Sequence, residues 1–339
     1  LGLLQKTKLA RRTVRVEDVA REAGVSPITV SRALSSPEKV KDETRKKVEA
    51  AVARTGYVLN RFASTLRSGH STLIPVFVPS LENPHIARAV QGCMEALEGS
   101  RYHLMMAPTG ASEDLQADML AQVLPFRPAA LVFNGMVNSD PIRAQLQALQ
   151  IPVVEMWEVV DEPLDMMVGL CNREAGQLLG RHFREQGFAR VAYAGRTTDG
   201  SAARLVGFTE AFGRAFDHIV PLESEASLQD GMAAFTALLA GLPDCDAMLF
   251  GSDLLAVGAM LQARKSGISI PGDVAIAGHG DLEFSSHLIP ALTSIHIPAY
   301  EMGKMAGRML RQRLQGAEMA TRTMVAPLRL EARDSTRRG

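Results

Sequence analysis

The chain has 339 residues, 46% of them hydrophobic and 22% charged, which is ordinary globular composition in a chain long enough for more than one domain. Its 37 basic and 37 acidic residues cancel, but not locally. Residues 1–70 carry 15 lysines and arginines against 7 acids, and the remaining 269 residues carry 22 against 30. A basic head on an acidic body points to a polyanionic partner for the head.

Several classes are excluded early. No apolar run approaches the roughly 18 residues of a membrane helix, so no membrane partner is expected. At the amino end, apolar residues precede Lys6, Lys8, Arg11 and Arg12, the reverse of a secretory signal. Cys93, Cys171 and Cys245 are scattered and form no CxxC pair, so they read as buried thiols in a reducing cytoplasm, with neither a disulfide framework nor a metal site. No GxGxxG follows a first strand, and GxxxxGK[ST] and HExxH are absent; an enzyme is therefore disfavoured, and no cofactor is expected. A transport-type binding protein is opposed by the basic head and the lack of a signal.

Taken in chain order, Asp18–Ala23 reads as a short helix whose apolar face is Val16, Val19, Ala20 and Ala23. Gly24 suits the left-handed position that closes it, Ser26 can cap the next helix, and Pro27 falls in its first turn, where a missing N–H does no harm. The second helix, Pro27 to Leu34, is expected to bury Val30 and Leu34. A third, from about Asp42 to Arg54, turns Val48, Ala51 and Val52 inward and Arg45, Lys46 and Lys47 outward. Helix, tight turn, helix is the helix-turn-helix plan, with the second helix free for the major groove.

The run Val16 to Leu34 closely resembles the head of the LacI/GalR family of regulators. Val40-Lys-Asp-Glu-Thr44-Arg45 and Gly56-Tyr57-Val58-Leu59-Asn60-Arg61-Phe62-Ala63 extend the resemblance. It implies base reading by Pro27, Ile28 and Arg32. An arginine can fork onto guanine, an isoleucine can meet a thymine methyl, and a proline reads only by shape. It implies phosphate contacts from Ser26, Thr29, Ser31 and Asn60, with helix capping an equally natural role for Ser26 and Thr29. Asn60 to Arg67 matches the family's hinge helix, which includes Ala63 and is too short to stand alone. Leu66 matches its minor-groove wedge. The partners so implied are double-stranded palindromic operator DNA and a second copy of the chain in a homodimer, with a small-molecule effector, sugar or sugar acid, acting on a cytoplasmic repressor.

Beyond residue 70, strands and helices alternate. Leu73–Val78, Tyr102–Ala107, Ala129–Phe133 and Val153–Met156 read as strands, with helices at Ile86–Leu97 and Leu115–Leu124. Arg190–Ala194, Met248–Phe250 and Val274–Ala277 are strands of a second half, with helices at Gly207–Phe216 and Ala256–Lys265. The expected fold is α/β: a three-helix head and hinge helix, then two doubly wound parallel-sheet lobes of periplasmic-binding-protein-like type. The resemblance persists in Pro79-Ser80-Leu81-Glu82-Asn83-Pro84, Arg204-Leu-Val-Gly207-Phe208, Ser252-Asp253 and Ile289-Pro290. It implies a tail at 1–12, a head at 13–59, a hinge and linker at 60–70, and an effector-binding and dimerisation body at 71–339. Lobe 1 of that body takes about 71–172 and 299–327, and lobe 2 takes 173–298 and 328–339.

Effector residues follow from the same resemblance. Arg204 matches the family's effector arginine, whose planar fork suits hydroxyl pairs or, better, a carboxylate. Ser80, Leu81 and His85 match the first-lobe wall. Ser252 matches a sugar-binding Asn or Asp, and Asp253 either assists or caps a helix. Where the family has Gly-aromatic-Asp-Asp, this chain has Gly278-His279-Gly280-Asp281. A glycine thus replaces the acid that grips neutral hydroxyls, which favours an anionic ligand, with His279 as a further donor. The usual aromatic wall near Ala226 is absent. Trp157, two residues after Glu155 in a strand-like run, is expected to point with it into the cleft and to replace that wall, with ordinary packing the other reading. Ile151–Met156 and Leu164–Gly169 resemble most the gluconate-utilisation repressor branch, so a gluconate-like acid is the expected effector.

Overall fold

The computed structural model describes residues 14–35, 37–58, 71–110, 112–223 and 227–338. The chain divides into two units, 1–70 and 71–339. The first contains α1 (Val16–Ala23), α2 (Pro27–Ser35) and α3 (Asp42–Thr55). Asp18 returns to the Arg15 N–H at 3.0 Å and opens α1. Gly24, at φ +68°, closes it by donating its N–H to the Ala20 carbonyl. Ser26 accepts the Thr29 N–H at 3.2 Å and starts α2. Val19, Ala20, Val30, Ala33, Val48 and Ala51 form the core. The inward pair of α2 is therefore Val30 and Ala33, while Leu34 packs at the rim, half-buried.

From Leu73 the second unit alternates. It runs through β1 (Leu73–Val78), α4 (Pro84–Ala96), β2 (His103–Pro108), α5 (Glu113–Val123), β3 (Leu131–Phe133), α6 (Asp140–Leu149), β4 (Val153–Glu158) and β5 (Met166–Leu170). Next come α7 (Asn172–Glu185), β6 (Val191–Gly195), α8 (Asp199–Phe212), β7 (His218–Pro221), α9 (Leu228–Gly241), β8 (Ala247–Phe250), α10 (Asp253–Lys265), β9 (Ala275–Gly280) and β10 (Thr293–His296). The unit closes with α11 (Ala299–Leu314), β11 (Thr323–Val325) and β12 (Arg329–Glu331).

Two six-stranded sheets result, ordered β11-β5-β4-β3-β1-β2 and β12-β10-β9-β8-β6-β7. Every neighbouring pair is parallel except β10 with β12. Alternate residues feed opposite faces. Val76 and Val78 pack with Ile86, Cys93 and Met302 on one side of the first sheet, and Phe77 with Leu131, Phe133 and Leu146 on the other. In the second, Ala194, Met248 and Phe250 face Phe235, while Tyr193 and Leu249 face Phe183 and Phe208. β11 sits in the first sheet and β12 in the second, so the last strands stitch one lobe each.

Helices α7 and α8 meet backbone to backbone. A Cβ on Gly176 would lie 1.9 Å from the Arg204 carbonyl oxygen, and one on Gly207 would lie 1.9 Å from that of Arg173. No side chain larger than hydrogen fits either place, and this contact sets the height of α8 on its sheet. α8 starts at Asp199, well before the expected Gly207, because Ala202, Ala203 and Leu205 continue the turn backward. Arg204 therefore stands in its second turn and does not open it. Substituting Gly176→Ala should cost about 3 kcal/mol or more by forcing the two helices apart, read as a lowered midpoint in thermal unfolding with the head's transition unchanged.

Candidate functional site

The head offers the amino end of α2. Pro27, Ile28 and Arg32 are exposed, Ile28 to 71%. Thr29 and Ser31 are half-buried, and the Ser26 and Thr29 hydroxyls lie 2.8 Å apart. Several other head cations are paired, Arg21 with Asp18, Arg45 with Asp42 and Glu49, Lys47 with Glu43 and Arg54 with Glu22. Among the described residues Arg32 has no acid within ion-pair reach, and an exposed apolar Ile28 sits one turn before it. An unpaired fork beside an apolar knob on one helix face is what base edges require. Asn60, Ala63 and Leu66 lie outside the described residues.

The second site lies in the body, beyond the carboxyl ends of the strands, where ligands sit in open α/β sheets. A cavity of about 380 Å³ is walled by Pro79, Ser80, Glu82, Asn83, His85 and Ile86 from the first lobe, and by Arg196, Glu223, Ser252, Asp253, His279 and Leu282 from the second. A contiguous hollow of about 220 Å³ shares Pro79 and Arg196 with it and adds Thr109, Gln116, Asn134 and Asn138. A larger hollow, about 430 Å³, opens at the other end of the first sheet beside Val153 and Asp165. Its charges are closed on themselves, since Asp165 holds Arg313 and Arg322 at 3.6 and 3.2 Å.

The expected cleft residues divide into three groups. Ser80, His85, Ser252 and His279 line the cavity. Asp253 lines it too, but its carboxylate is spent inside the lobe. It accepts from the Ser285 and Ser294 hydroxyls at 2.6 Å each and from the Leu282 N–H at 2.8 Å, and its burial raises its pKa. Ser252, one residue earlier, is the cap of α10, accepting the Leu255 N–H at 3.3 Å. Leu81 is exposed beside the cavity and does not line it.

Glu155 and Trp157 correct the expectation that both point into the cleft. Glu155 is fully buried on the Val153 face of the sheet. One carboxylate oxygen accepts the Val137 N–H at 3.0 Å and meets Arg143 at 3.5 Å, and the other accepts the Leu164 N–H at 2.8 Å. It staples two loops and has no capacity left for a ligand. Trp157 lies at φ +92°, a region that bulky residues enter only under strain. The turn breaks the strand's alternation and swings the indole onto the cluster of Val154 and Met156. There Nε1 donates to the Asn134 Oδ1 at 3.3 Å, and the ring meets His85 edge-on with centroids 6.5 Å apart. Trp157 is a buttress behind the cleft and not part of its wall.

Arg204 is 3% exposed. One terminal nitrogen donates to the Ser201 hydroxyl at 3.0 Å, while Nε has no partner. Among the described residues no acid pairs with it. A buried guanidinium without a counter-ion is costly, and buried polar atoms are otherwise nearly always satisfied. Four buried side-chain atoms among the described residues lack a hydrogen-bond partner: Arg204 Nε, His279 Nε2, Asn134 Nδ2 and Arg313 Nε, the last of which has only its ion pair with Asp165. The first three belong to this one region. His279 is held well below the usual imidazole range by burial, then by the Arg204 charge and by His85. His85 is pushed down to about 4 by burial and by His296, against a smaller opposing pull from Asp281. Both rings are neutral near pH 7 and able to donate one hydrogen bond each. His279 lines the first cavity and Asn134 the adjoining hollow, while Arg204 is on neither wall, although its charge reaches His279.

Sequence reasoning missed Asn134, Arg196 and Glu223. The signal was positional: each follows a strand's carboxyl end, after Phe133, Gly195 and Pro221. Among the described residues no cluster of three His, Cys, Asp or Glu could hold a metal ion, and no helix is long and apolar enough to cross a membrane.

Comparison with known proteins matches residues 15–60 to "Bacterial regulatory proteins, lacI family" and residues 181–336 to "Periplasmic binding protein-like domain". The chain is 31% identical to the HTH-type transcriptional regulator GntR of Pseudomonas aeruginosa, over 99% of this chain and 100% of that protein. A LacI-family transcriptional regulator from Silicibacter pomeroyi superposes with a TM-score of 0.89 at 28% identity, covering 96% of this chain and 100% of the other. The lac repressor dimer, bound to operator and the anti-inducer ONPF, superposes at 0.81 with 26% identity, covering 96% and 99%.

Acidification should weaken the body. His85 binds its proton near pH 4 when folded and near 6.5 when unfolded, so the unfolded chain takes up more protons between those values, and stability falls as pH drops through that window. Replacing His85→Asn should flatten part of this fall in thermal midpoints measured from pH 7 to 4; an unchanged slope would contradict the assignment.

Proposed function

The chain belongs to the LacI family of bacterial regulatory proteins, and on that premise we propose that it is a homodimeric repressor of sugar-acid catabolism genes, released from a palindromic operator by a gluconate-like anion bound between the lobes of its body. It is a DNA-binding transcriptional regulator and not an enzyme. The observation that carries the ligand class is Arg204, a buried guanidinium with no acid of its own among the described residues. Gly280 supports the same reading, because the position that would supply a hydroxyl-gripping carboxylate supplies none. Asp253 and Glu155, the buried acids nearby, have their oxygens engaged within the protein. A carboxylate seated by Arg204 and His279 leaves a polyol tail to reach Ser252 and the amide of Asn134.

On the DNA side, a two-fold dimer reads two half-sites. Arg32 is proposed to fork onto a guanine, Ile28 to meet a thymine methyl and Pro27 to read by shape, while Ser26, Thr29 and Ser31 set the height of α2 on the phosphates. Asn60 is proposed to add a further phosphate contact, and the hinge that includes Ala63 to present Leu66 as a wedge in the minor groove. Ligand acts by linkage: it binds one arrangement of the lobes more tightly, and shifts DNA affinity by no more than that difference.

Titration calorimetry separates acid from neutral ligands. Sodium gluconate should bind and glucose should not, and Arg204→Met should abolish gluconate binding while leaving duplex affinity intact. Binding of glucose alone would defeat the reading. With operator selected from random duplexes, Arg32→Ala should weaken specific binding by about tenfold or more and relax one base position, and gluconate should release the wild-type complex in an anisotropy assay.

A further inference from the structure

One contact between the lobes runs through the effector cleft itself. His85 is the second residue of α4 in the first lobe, where Asn83 accepts its backbone N–H at 3.0 Å. Its imidazole reaches β9 of the second lobe: Nε2 lies 2.6 Å from where a Cβ on Gly280 would stand, with Cε1 and Cδ2 at 3.5 and 3.7 Å. Gly280 is at φ +138°, which side-chain-bearing residues rarely adopt, and the first atom of any side chain there would strike the ring.

Both partners are held from behind. Trp157 supports the imidazole edge-on and is itself tied to Asn134. Next to Gly280, Asp281 is fixed by His296 Nδ1 at 2.8 Å, by Arg333 at 2.7 Å and by its own N–H to the Ser294 hydroxyl at 3.0 Å. His296 ends β10 and Arg333 follows β12, so the slot rests on the two segments that lead the chain between the lobes. The titratable and charged groups around the ring are His279, His296 and Asp281 of the second lobe, with Glu82, Arg196 and Glu223 on the cavity wall.

We propose that the His85 imidazole and the side-chain-free Gly280 form one specificity determinant, a closure contact in which the ring docks in the glycine slot and offers an N–H to the ligand from the place where an acid at 280 would offer a carboxylate. For its ligand this rests on the sugar-acid reading; for its contact it does not. An acid at 280 would evict the ring and set negative charge beside the ligand, so a single exchange reverses the charge preference of the site.

The test uses the full chain as wild type, His85→Ala, Gly280→Ala and the double variant. Thermal unfolding without ligand reads the contact. Backbone strain at 280 is common to both backgrounds, but the collision is not, so alanine at 280 should lower the midpoint more when His85 is present than when it is absent. Equal losses overturn the contact. Titration with sodium gluconate reads the role: each single variant should weaken binding about tenfold, and the double variant should be no weaker than the weaker single. Multiplying losses, or no loss in either single, overturn the determinant. If the wild type binds no gluconate, the sugar-acid reading and the ligand role fail together, while the thermal cycle still decides the contact.

Discussion

A guanidinium closed off from water and left without a carboxylate is the constraint around which the body is arranged. Arg204 is carried on α8, and α8 is pinned by the Gly176 and Gly207 approaches that let its backbone touch that of α7. The charge cannot relax outward without lifting the helix. Its field, with burial, keeps His279 neutral, and the protein supplies no acid in compensation. On the proposed reading, an anion from outside would supply the missing counter-charge, and that difference is what a ligand could use to favour one arrangement of the lobes over another.

Around this charge the acids have been put to structural use. Asp253 binds Leu282 and Ser285 after β9, and Ser294 of β10, to the head of α10, Glu155 binds the loops at Val137 and Leu164, and Asp281 gathers His296 and Arg333. Each carboxylate is satisfied by two or more donors, so each holds its loop rigidly and contributes little free negative potential to the cleft. The other acids that line the cleft, Glu82 and Glu223, stand beside Arg196 on its wall.

The head was legible in the sequence because its signals are local. Gly24, Ser26 and Pro27 act through their own backbone, and the helices start and stop where those residues demand. Leu34 was misread by one turn position because helical spacing does not distinguish a small residue at the centre of a three-helix core, Ala33, from a large one at its rim. The alternating body was legible from its apolar runs, but the place of Arg204 within α8 was not. Trp157 was misplaced for a physical reason: two-residue alternation holds only while φ stays extended, and the left-handed backbone there ends it, whereas Glu155 keeps the alternation on a face that packs into the lobe and not the cleft. Gly169, paired with Trp157 across the sheet, makes that turn possible, since a Cβ there would lie 2.8 Å from the Glu158 carbonyl carbon. Asn134 was overlooked because an amide after a strand resembles any loop residue until its unsatisfied nitrogen is seen.

The placement of β11 and β12 bears on how the chain is made. The apolar cluster of the first lobe is completed by Met302, Ala306, Met309 and Leu310 of α11, and the second lobe takes in Ser335 and Thr336 near the other end of the sequence. During synthesis, the short-range contacts of the head are available once α3 has been made, whereas the first lobe cannot close its core before α11, nor the second bury Ser335 and Thr336 before they follow. A nascent chain therefore passes through a long interval with a finished head and two open half-cores, and in that interval the apolar faces of β4, β5 and α4 are the surfaces a chaperone would meet.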